Sequence, residues 1–273
     1  MQLKQAILPV AGLGTRFLPW TKVVPKEMLP VGKLPIIALL VDECISVGIT
    51  EICFVISRGK EVIPAFFAKD EKLEKELRRR GKSDVLDELL RYDAVKFTTV
   101  YQEEQHGDGH AILQAKDFVT SDSVAVLFGD DLIVGEPGNG LQQLVRAGSG
   151  ERGAGSAAFL CLQDVPRKDV SRYGIASVEP SEGRLKRVTG LVEKPKPESA
   201  LGTLAVVGKY IIPRSLFSVL PSLGKGHGGE IRLIDALIAE IGRLPLFGYV
   251  FEGRRFDTGT PEGYREAVMA SFS

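Results

Sequence analysis

The chain has 273 residues, enough for one large α/β domain or two small ones that share a core, and its 44% hydrophobic and 26% charged residues are ordinary for a globular protein. Thirty-five basic residues balance thirty-five acidic ones, so the overall charge gives no reason to expect nucleic acid or an anionic membrane as a partner. Any binding of phosphate must therefore come from a local arrangement of charges.

The distribution of apolar residues argues against secretion and against a membrane span. Residues 1–10 enter a short apolar strand without the apolar region of a signal peptide, and no stretch approaches the roughly 18 to 20 apolar residues of a transmembrane helix. Cys44, Cys53 and Cys161 lie far apart within apolar runs, which predicts buried, reduced thiols rather than disulfides or zinc ligands. We therefore expect a cytoplasmic protein.

Short apolar runs alternate with longer amphipathic stretches in the first half of the chain. A helix is predicted over 36–46, ending before Gly48, and the charged segment 61–91 predicts a pair of solvated amphipathic helices. The predicted strands are residues 6–10, 52–56, 95–101 and 124–128. Strands this apolar, separated by helical patterns, indicate a parallel sheet covered by helices on both faces.

The pattern changes after about residue 150, where strands follow one another with fewer helices between them. A terminal helix with proline in its first turn is predicted over 261–272. The predicted strands of this half are residues 157–162, 175–178, 204–212 and 247–251. The whole chain is therefore predicted to be α/β, with a mixed, mostly parallel central sheet flanked by helices.

A glycine-rich loop follows the first predicted strand, where an α/β sheet places its ligand crevice. The dinucleotide-binding fingerprint would need a third glycine after Gly12 and Gly14, but Phe17 stands there, and a Walker-type loop is absent. A plain tight turn remains an alternative for the glycines alone. Arg16, and Lys26 within a stiff segment between two prolines, favour the binding of a triphosphate beside the loop amides.

The sequence from Pro9 to Arg16, together with the segment from Pro25 to Pro30, resembles the sugar nucleotidyltransferases, and among them the bacterial UTP–glucose-1-phosphate uridylyltransferases. The resemblance covers nearly the whole chain, including the charged segment 61–91. It implies a Rossmann-like nucleotidyltransferase fold in a single domain over 1–273. Residues 1–150 would mainly bind the nucleotide and residues 151–273 mainly the sugar phosphate, and the implied assembly is a homo-oligomer, a dimer or tetramer.

The implied reaction is the transfer of a uridylyl group from UTP to glucose 1-phosphate, giving UDP-glucose and pyrophosphate with Mg²⁺ as cofactor. The sugar-phosphate oxygen would attack the α-phosphorus in line, so the protein must chiefly align two anions and neutralise the leaving pyrophosphate. The residues expected to carry catalysis are Arg16, Lys26 and Lys194, and those expected to hold the nucleotide are Ala11, Gly12, Gly14, Gln102 and Gly107.

Base recognition is expected after the third predicted strand, at Gln102. A glutamine amide offers one acceptor and two donors, which suits the imide edge of uracil or thymine, although a surface amide is the alternative for Gln102 alone. The resemblance places Gly107 against the base as well. His106 and His110 are not expected to act as acids or bases, because nucleotidyl transfer starts from an ionised phosphate, and His110 is interpreted as a brace for the loop.

Two carboxylates at predicted strand ends, Asp130 and Asp257, are the expected Mg²⁺ ligands, since this ion takes hard oxygen ligands and keeps several waters. Relatives use an aspartate at each of these positions. A structural cap is the alternative for Asp130 and its neighbour Asp131. Asp131 is expected to point to the other side of the sheet or to cap the following turn.

The sugar side is expected at Glu193-Lys194-Pro195, which matches a family element whose glutamate binds sugar hydroxyls and whose lysine meets the sugar phosphate. An ordinary solvated ion pair is the alternative. Gly174, which lets the backbone approach the ring, and Val207 complete the expected sugar site, although a core strand explains Val207 equally well.

The chain departs from the family pattern close to the expected sugar site. Gly229, Arg232 and Ile234 stand where the family usually has Asp, Gln and Thr, so the identity of the sugar is open. The same chemistry with another sugar 1-phosphate or with dTTP is the main alternative. An inactive nucleotide-sugar-binding regulatory protein fits less well, because the expected phosphate-binding and metal-binding residues are all present.

Overall fold

The computed structural model describes residues 2–151, 154–224 and 229–271. Its strands are β1 (Gln5–Pro9), β2 (Pro30–Val31), β3 (Leu34–Pro35), β4 (Glu51–Ile56), β5 (Lys96–Tyr101), β6 (Ser123–Leu127), β7 (Asp131–Val134), β8 (Ala158–Asp164), β9 (Gly174–Val178), β10 (Leu185–Glu193), β11 (Leu204–Pro213), β12 (Leu246–Val250) and β13 (Arg254–Asp257). Its α-helices are α1 (Ile36–Ile45), α2 (Val62–Phe66), α3 (Glu71–Arg79), α4 (Ser83–Leu90), α5 (Asp108–Gln114), α6 (Gly140–Ser149), α7 (Leu233–Ala239) and α8 (Pro261–Ala270).

A mixed sheet of nine strands forms the centre of the fold, in the order β5-β4-β1-β6-β11-β8-β12-β10-β9. The four strands from the first half, β5, β4, β1 and β6, run parallel, as does β8 with β12. The pairings of β11 with β6, β8 and β9, and of β10 with β9 and β12, are antiparallel. The carboxyl ends of the parallel strands therefore meet at one edge of the sheet, and the candidate site lies there.

Helices cover both faces of the sheet, because successive residues of its strands point to opposite sides. On β1, Ala6 and Leu8 pack into one core cluster with α1 and α6, whereas Ile7 packs into a second cluster with α5 and α7. The predicted α/β class, with a mixed sheet flanked by helices, is confirmed. Among the described residues, no helix combines the length and apolar character needed to cross a membrane.

The predicted strands are confirmed within two residues at each end, and so is the helix predicted over 36–46. The charged segment 61–91 contains α3 and α4 as expected, and the short α2 precedes them. The terminal helix begins at Pro261 as predicted and ends at Ala270, while residue 272 lies outside the described residues. The predictions omitted β10, α6, α7 and the antiparallel pair of β7 with β13.

The three cysteines are buried, and burial raises the pKa of the Cys53 thiol to about 12. Burial raises the pKa of the Cys44 and Cys161 thiols as well, so all three thiols are protonated at neutral pH.

Candidate active site

The glycine-rich loop leaves the sheet at the end of β1 and turns over its edge. Gly14 has a φ of 66°, in the left-handed region that favours glycine, and its carbonyl accepts hydrogen bonds from Thr21 Oγ1 at 2.8 Å and from the Phe17 amide at 3.0 Å. Gly14 thus shapes the turn. Ala11 and Gly12 line a cavity, and the space beside the Gly12 Cα is open for at least 4 Å.

This first cavity is an open cleft with about 730 Å³ of space, solvent included, between the glycine-rich loop and the start of α5. Its walls include Gly12, Lys26, Gln102, Gly107 and Asp130. Residues from four separate stretches of the chain, each predicted from the sequence to bind the nucleotide or its metal, therefore face one space.

Gln102 lies just beyond β5 with only 3% of its surface exposed, so it is not a surface amide. Its Nε2 donates to the Gly107 carbonyl at 2.9 Å and lies 3.1 Å from His110 Nδ1. No hydrogen bond reaches its Oε1 from the described part of the chain, so this oxygen is the free acceptor at the cavity wall. Gly107 has a φ of 101°, and an added Cβ would lie 2.4 Å from the Ile231 carbonyl oxygen, so no larger residue fits there.

Two cations of the loop region converge on the carboxylates at the far wall of the cavity. Lys26 Nζ lies 2.7 Å from Asp130 Oδ2, and Arg16 donates to the Gly259 carbonyl at 3.3 Å. Burial acts to lower the pKa of Lys26, but the charges of Asp130 and Glu27 outweigh it and raise that pKa above its ordinary value. Burial likewise acts to raise the pKa of Asp130, and Lys26 reverses this and holds it below the ordinary value.

A buried ion pair that sequence analysis did not identify braces the segment carrying Lys26. Glu27 is 1% exposed and accepts a hydrogen bond from Lys60 Nζ at 3.0 Å, while the same nitrogen donates to the Val10 carbonyl at 2.6 Å. Burial lowers the pKa of Lys60. This pair ties the end of β1 to the lysine segment, and only the spatial neighbourhood of Lys60 reveals it.

Asp130 and Asp257 approach each other because β7 and β13 pair in antiparallel register, with Asp131 opposite Asp257. A Cβ added at Gly259 would lie 2.7 Å from Asp130 Oδ2 and 3.1 Å from Asp257 Oδ1. Two carboxylate oxygens thus border one small space that glycine leaves open. Burial raises the pKa of Asp257, and the nearby Asp131 adds to this effect, as expected where carboxylates gather.

This donor set fits a magnesium ion that keeps several waters and binds substrate phosphates. Within the described residues no group of three or more His, Cys, Asp or Glu side chains is arranged to hold a metal, so an all-protein cage is not formed there. Two converging carboxylates are the arrangement that Mg²⁺ uses when phosphate oxygens complete its shell.

Asp131 is buried and lines the same space as Asp130. Its Oδ2 accepts the Gly208 amide at 2.9 Å, and its Oδ1 pairs with Arg255. Arg255 in turn lies 3.3 Å from the Tyr173 hydroxyl. Asp131 therefore joins β7, β11 and β13 beneath the site instead of capping a turn.

A second cavity, of about 750 Å³, adjoins the first on the side of β9 and β10. Gly174, Glu193 and Lys194 line it, and Glu193 is mostly buried, so the pair is not an ordinary solvated one. Lys194 has a φ of 48°, rare for a residue other than glycine, and its amide donates to the Tyr173 carbonyl at 3.0 Å. Strained backbone of this kind is common where a side chain must be held for function.

The structure does not bring the side chain of Val207 to this cavity. Val207 is 1% exposed and packs in the core cluster on the opposite face of β11, whereas its neighbours Val206 and Gly208 line the cavity. The alternation of a strand puts adjacent side chains on opposite faces, so only one of the two valines can face the cavity.

The two cavities share a wall made of Asp108, Phe128, Asp130 and Glu230. Apart from Glu230, the first cavity is lined by residues numbered below 150, whereas the second takes most of its lining from residues above 150. Asp130 faces both, so a ligand spanning them would pass its middle portion next to this carboxylate and Lys26. Asp108, Arg172, Glu230 and Arg255 were not identified from the sequence as site residues.

The chain is similar to known proteins in both sequence and structure. Residues 5–272 match the family described as nucleotidyl transferase. The chain is 41% identical over 260 residues to the UTP–glucose-1-phosphate uridylyltransferase of Komagataeibacter xylinus. The aligned region covers 94% of this chain and 90% of that protein. A structure of UDP-glucose pyrophosphorylase complexed with UDP-glucose matches with a TM-score of 0.89 at 31% identity, over 99% of this chain and 98% of that one. The UTP-bound UGPase from Acinetobacter baumannii matches with a TM-score of 0.87 at 35% identity, over 98% and 93%.

Proposed function

The chain belongs to the nucleotidyl transferase family, and from this premise we propose that it transfers a uridylyl group from UTP to glucose 1-phosphate, giving UDP-glucose and pyrophosphate. One observation carries the proposal: Asp130 and Lys26 lie where a cavity lined by Gln102 meets a cavity lined by Glu193 and Lys194. A nucleotide and a sugar phosphate placed in these cavities would bring their phosphates together at Asp130.

Each site residue has a role that follows from its position. The free Oε1 of Gln102 accepts the imide N–H of uracil, and Gly107 lines the cavity beside it. The loop at Ala11 and Gly12 follows the phosphates, while Gly14 keeps the turn in shape. The nucleotide is thereby oriented with its α-phosphorus toward the second cavity.

The sugar phosphate is held by groups of the opposite wall. Lys194 neutralises its phosphate, Glu193 accepts hydrogen bonds from sugar hydroxyls, and Gly174 lines the same cavity. The phosphate oxygen is already ionised at neutral pH, so no side chain has to remove a proton before attack. Lys26 and Arg16 stabilise the charge that develops on the leaving pyrophosphate.

We further propose that Asp130 and Asp257 hold Mg²⁺, with Gly259 leaving the space for it. The bound ion supplies positive charge to the phosphate oxygens. The two halves of the chain bind different substrates in this proposal, since residues 1–150 mainly bind the nucleotide and residues 151–273 mainly bind the sugar phosphate.

The proposed function is tested by measuring pyrophosphate release with UTP, dTTP, ATP and CTP, each combined with several sugar 1-phosphates. We expect the highest kcat/KM for UTP with glucose 1-phosphate, and rejection of CTP because cytosine lacks the imide edge. Preference for dTTP, or for another sugar 1-phosphate, would reassign the substrate. Binding of UDP-glucose with no turnover of any pair would identify a regulatory binding protein instead.

Metal dependence follows from the two converging carboxylates. We expect chelation by EDTA to abolish turnover and Mg²⁺ to restore it. Asp130→Asn and Asp257→Asn should each lower kcat about 100-fold and raise the Mg²⁺ concentration that gives half-maximal rate, because one negatively charged ligand is lost. Asp122→Asn is the matched control, since this exposed aspartate lies before β6, at the opposite end of that strand from Asp130. Full activity in EDTA would remove the metal from the proposal.

A further inference from the structure

Arg232 stands immediately before α7 and is nearly buried at the wall of the second cavity, with 9% of its side chain exposed. Its Nη1 donates to Glu193 Oε1 at 3.0 Å, and its Nε and Nη2 donate to Glu230 Oε2 at 3.1 and 3.0 Å. One guanidinium therefore clamps two carboxylates of the cavity wall in fixed directions.

The two carboxylate oxygens of Glu193 differ in their hydrogen-bond partners. Oε1 accepts the hydrogen bond from Arg232 Nη1 and also lies 3.3 Å from Lys194 Nζ. Oε2 receives no hydrogen bond from the described part of the chain, and Glu193 lines the second cavity. The clamp thus uses one oxygen and leaves the other without a protein donor at the cavity wall, where a sugar hydroxyl can donate to it.

The backbone of Arg232 is held as firmly as its side chain. The Leu233 amide donates to Asp108 Oδ1 at 2.7 Å, and a Cβ added at Gly109 would lie 2.7 Å from the Arg232 carbonyl carbon. The start of α5 therefore presses against the start of α7 and fixes the direction from which the guanidinium reaches Glu193.

Charge balance explains why an arginine serves here better than an amide. Asp108, Glu193 and Glu230 surround Arg232, and its guanidinium offsets their mutual repulsion. Burial, with Glu193 and Glu230, raises the pKa of Asp108 to about 6, while the Leu233 amide and Arg232 act against this rise. A glutamine in its place could donate to Glu193 but would remove the positive charge that Arg232 contributes among these three carboxylates.

We propose that Arg232 is a positioning residue that aims Glu193 Oε2 at the hydroxyls of the sugar 1-phosphate, and that it thereby sets the preference of this chain among neutral hexose epimers. The proposal rests on the proposed function in taking Glu193 as the carboxylate that binds hydroxyls.

The test compares Arg232→Gln with the wild-type protein for glucose 1-phosphate and its C4 epimer galactose 1-phosphate, with UTP as co-substrate. We expect Arg232→Gln to lower kcat/KM for the preferred epimer by about tenfold, mainly through KM, and to lower that of the other epimer much less. The KM for UTP should stay within about twofold of the wild-type value. Arg232→Lys, which keeps the charge but not the fork, should recover part of the loss.

Arg243→Gln is the matched control, because Arg243 is exposed and follows the same helix. This variant should have the wild-type kcat/KM for both epimers. If Arg232→Gln lowers kcat/KM equally for the two epimers, the residue is merely structural and the inference is overturned. Unchanged kcat/KM values for both epimers would overturn it as well.

Binding distinguishes failure of this inference from failure of the proposed function. Calorimetry with UDP-glucose and UDP measures what the hexose adds to affinity without any turnover. Absence of turnover in the wild-type protein would count against the proposed function alone. The gain in affinity from UDP to UDP-glucose should still be about tenfold smaller in Arg232→Gln than in the wild-type protein. An equal gain in the variant and the wild-type protein would refute the role of Arg232.

Discussion

Lys26→Ala is expected to lower kcat by roughly 10²- to 10³-fold while the protein stays folded. Lys26 Nζ lies 2.7 Å from Asp130 Oδ2 at the junction of the two cavities, and its side chain is 15% exposed, so its charge acts where water screens it little. Its contribution should be largest when charge develops on the pyrophosphate. The variant should therefore lose kcat more than affinity for UTP, as single-turnover rates and UTP binding will show.

Lys22→Ala is the matched control, since Lys22 is an exposed lysine four residues earlier in the same region. It should retain wild-type kcat. Pyrophosphate release at an unchanged rate in Lys26→Ala would remove this lysine from the mechanism, and loss of the folded state, seen by circular dichroism, would make the lysine structural instead.

The same variant should change the pH dependence of activity. In the wild-type protein Lys26 holds the pKa of Asp130 below its ordinary value, so the ionised carboxylate persists as the pH falls until that lowered pKa is reached. Without Lys26, burial raises the pKa and the carboxylate is protonated at a higher pH. The acid limb of the kcat profile should therefore move to higher pH in Lys26→Ala and stay in place in Lys22→Ala. An unmoved acid limb would contradict the coupling of the two groups.

Asp131→Asn should destabilise the fold by about 3–5 kcal/mol. One carboxylate oxygen accepts the Gly208 amide at 2.9 Å and the other pairs with Arg255, whose side chain is 9% exposed. An asparagine presents an NH₂ group to one of these two donors and leaves a buried guanidinium without its counter-charge. Urea unfolding at neutral pH measures the change in the free energy of unfolding.

The neighbouring substitution Asp130→Asn is the matched control. The Asp130 side chain is 32% exposed and makes one ion pair, so the free energy of unfolding should fall less than in Asp131→Asn although activity is lost. The two adjacent aspartates would thus separate stability from catalysis. Equal free energies of unfolding for the two variants would show that the pairing of Asp131 with Arg255 does not stabilise the fold.

The sequence predicted those parts of the site that follow directly from local pattern. The apolar runs of β1, β4, β5 and β6 are buried or half-buried strands, and the polar residues just after them fall at one sheet edge because the strands are parallel. Gln102 follows β5 and Asp130 follows β6, and both line the first cavity.

Other parts depend on contacts between distant segments and leave no local signal. β7 and β13 have four residues each and begin or end with charged residues, so neither shows a hydrophobic period, yet their pairing brings Asp131 opposite Asp257. The strand β11 is buried on both faces almost throughout, so its sequence cannot tell whether Val206 or Val207 faces the cavity. The Glu27–Lys60 pair joins residues 33 positions apart and becomes visible only in three dimensions.

A crystal structure of this protein with UDP-glucose and Mg²⁺ tests the central claim most directly. We expect the uracil against Gln102, the hexose in the cavity lined by Glu193 and Gly174, and the diphosphate beside Lys26, with the ion between Asp130 and Asp257. A diphosphate bound away from Lys26 and Asp130, or a hexose outside the cavity lined by Glu193, would contradict the account.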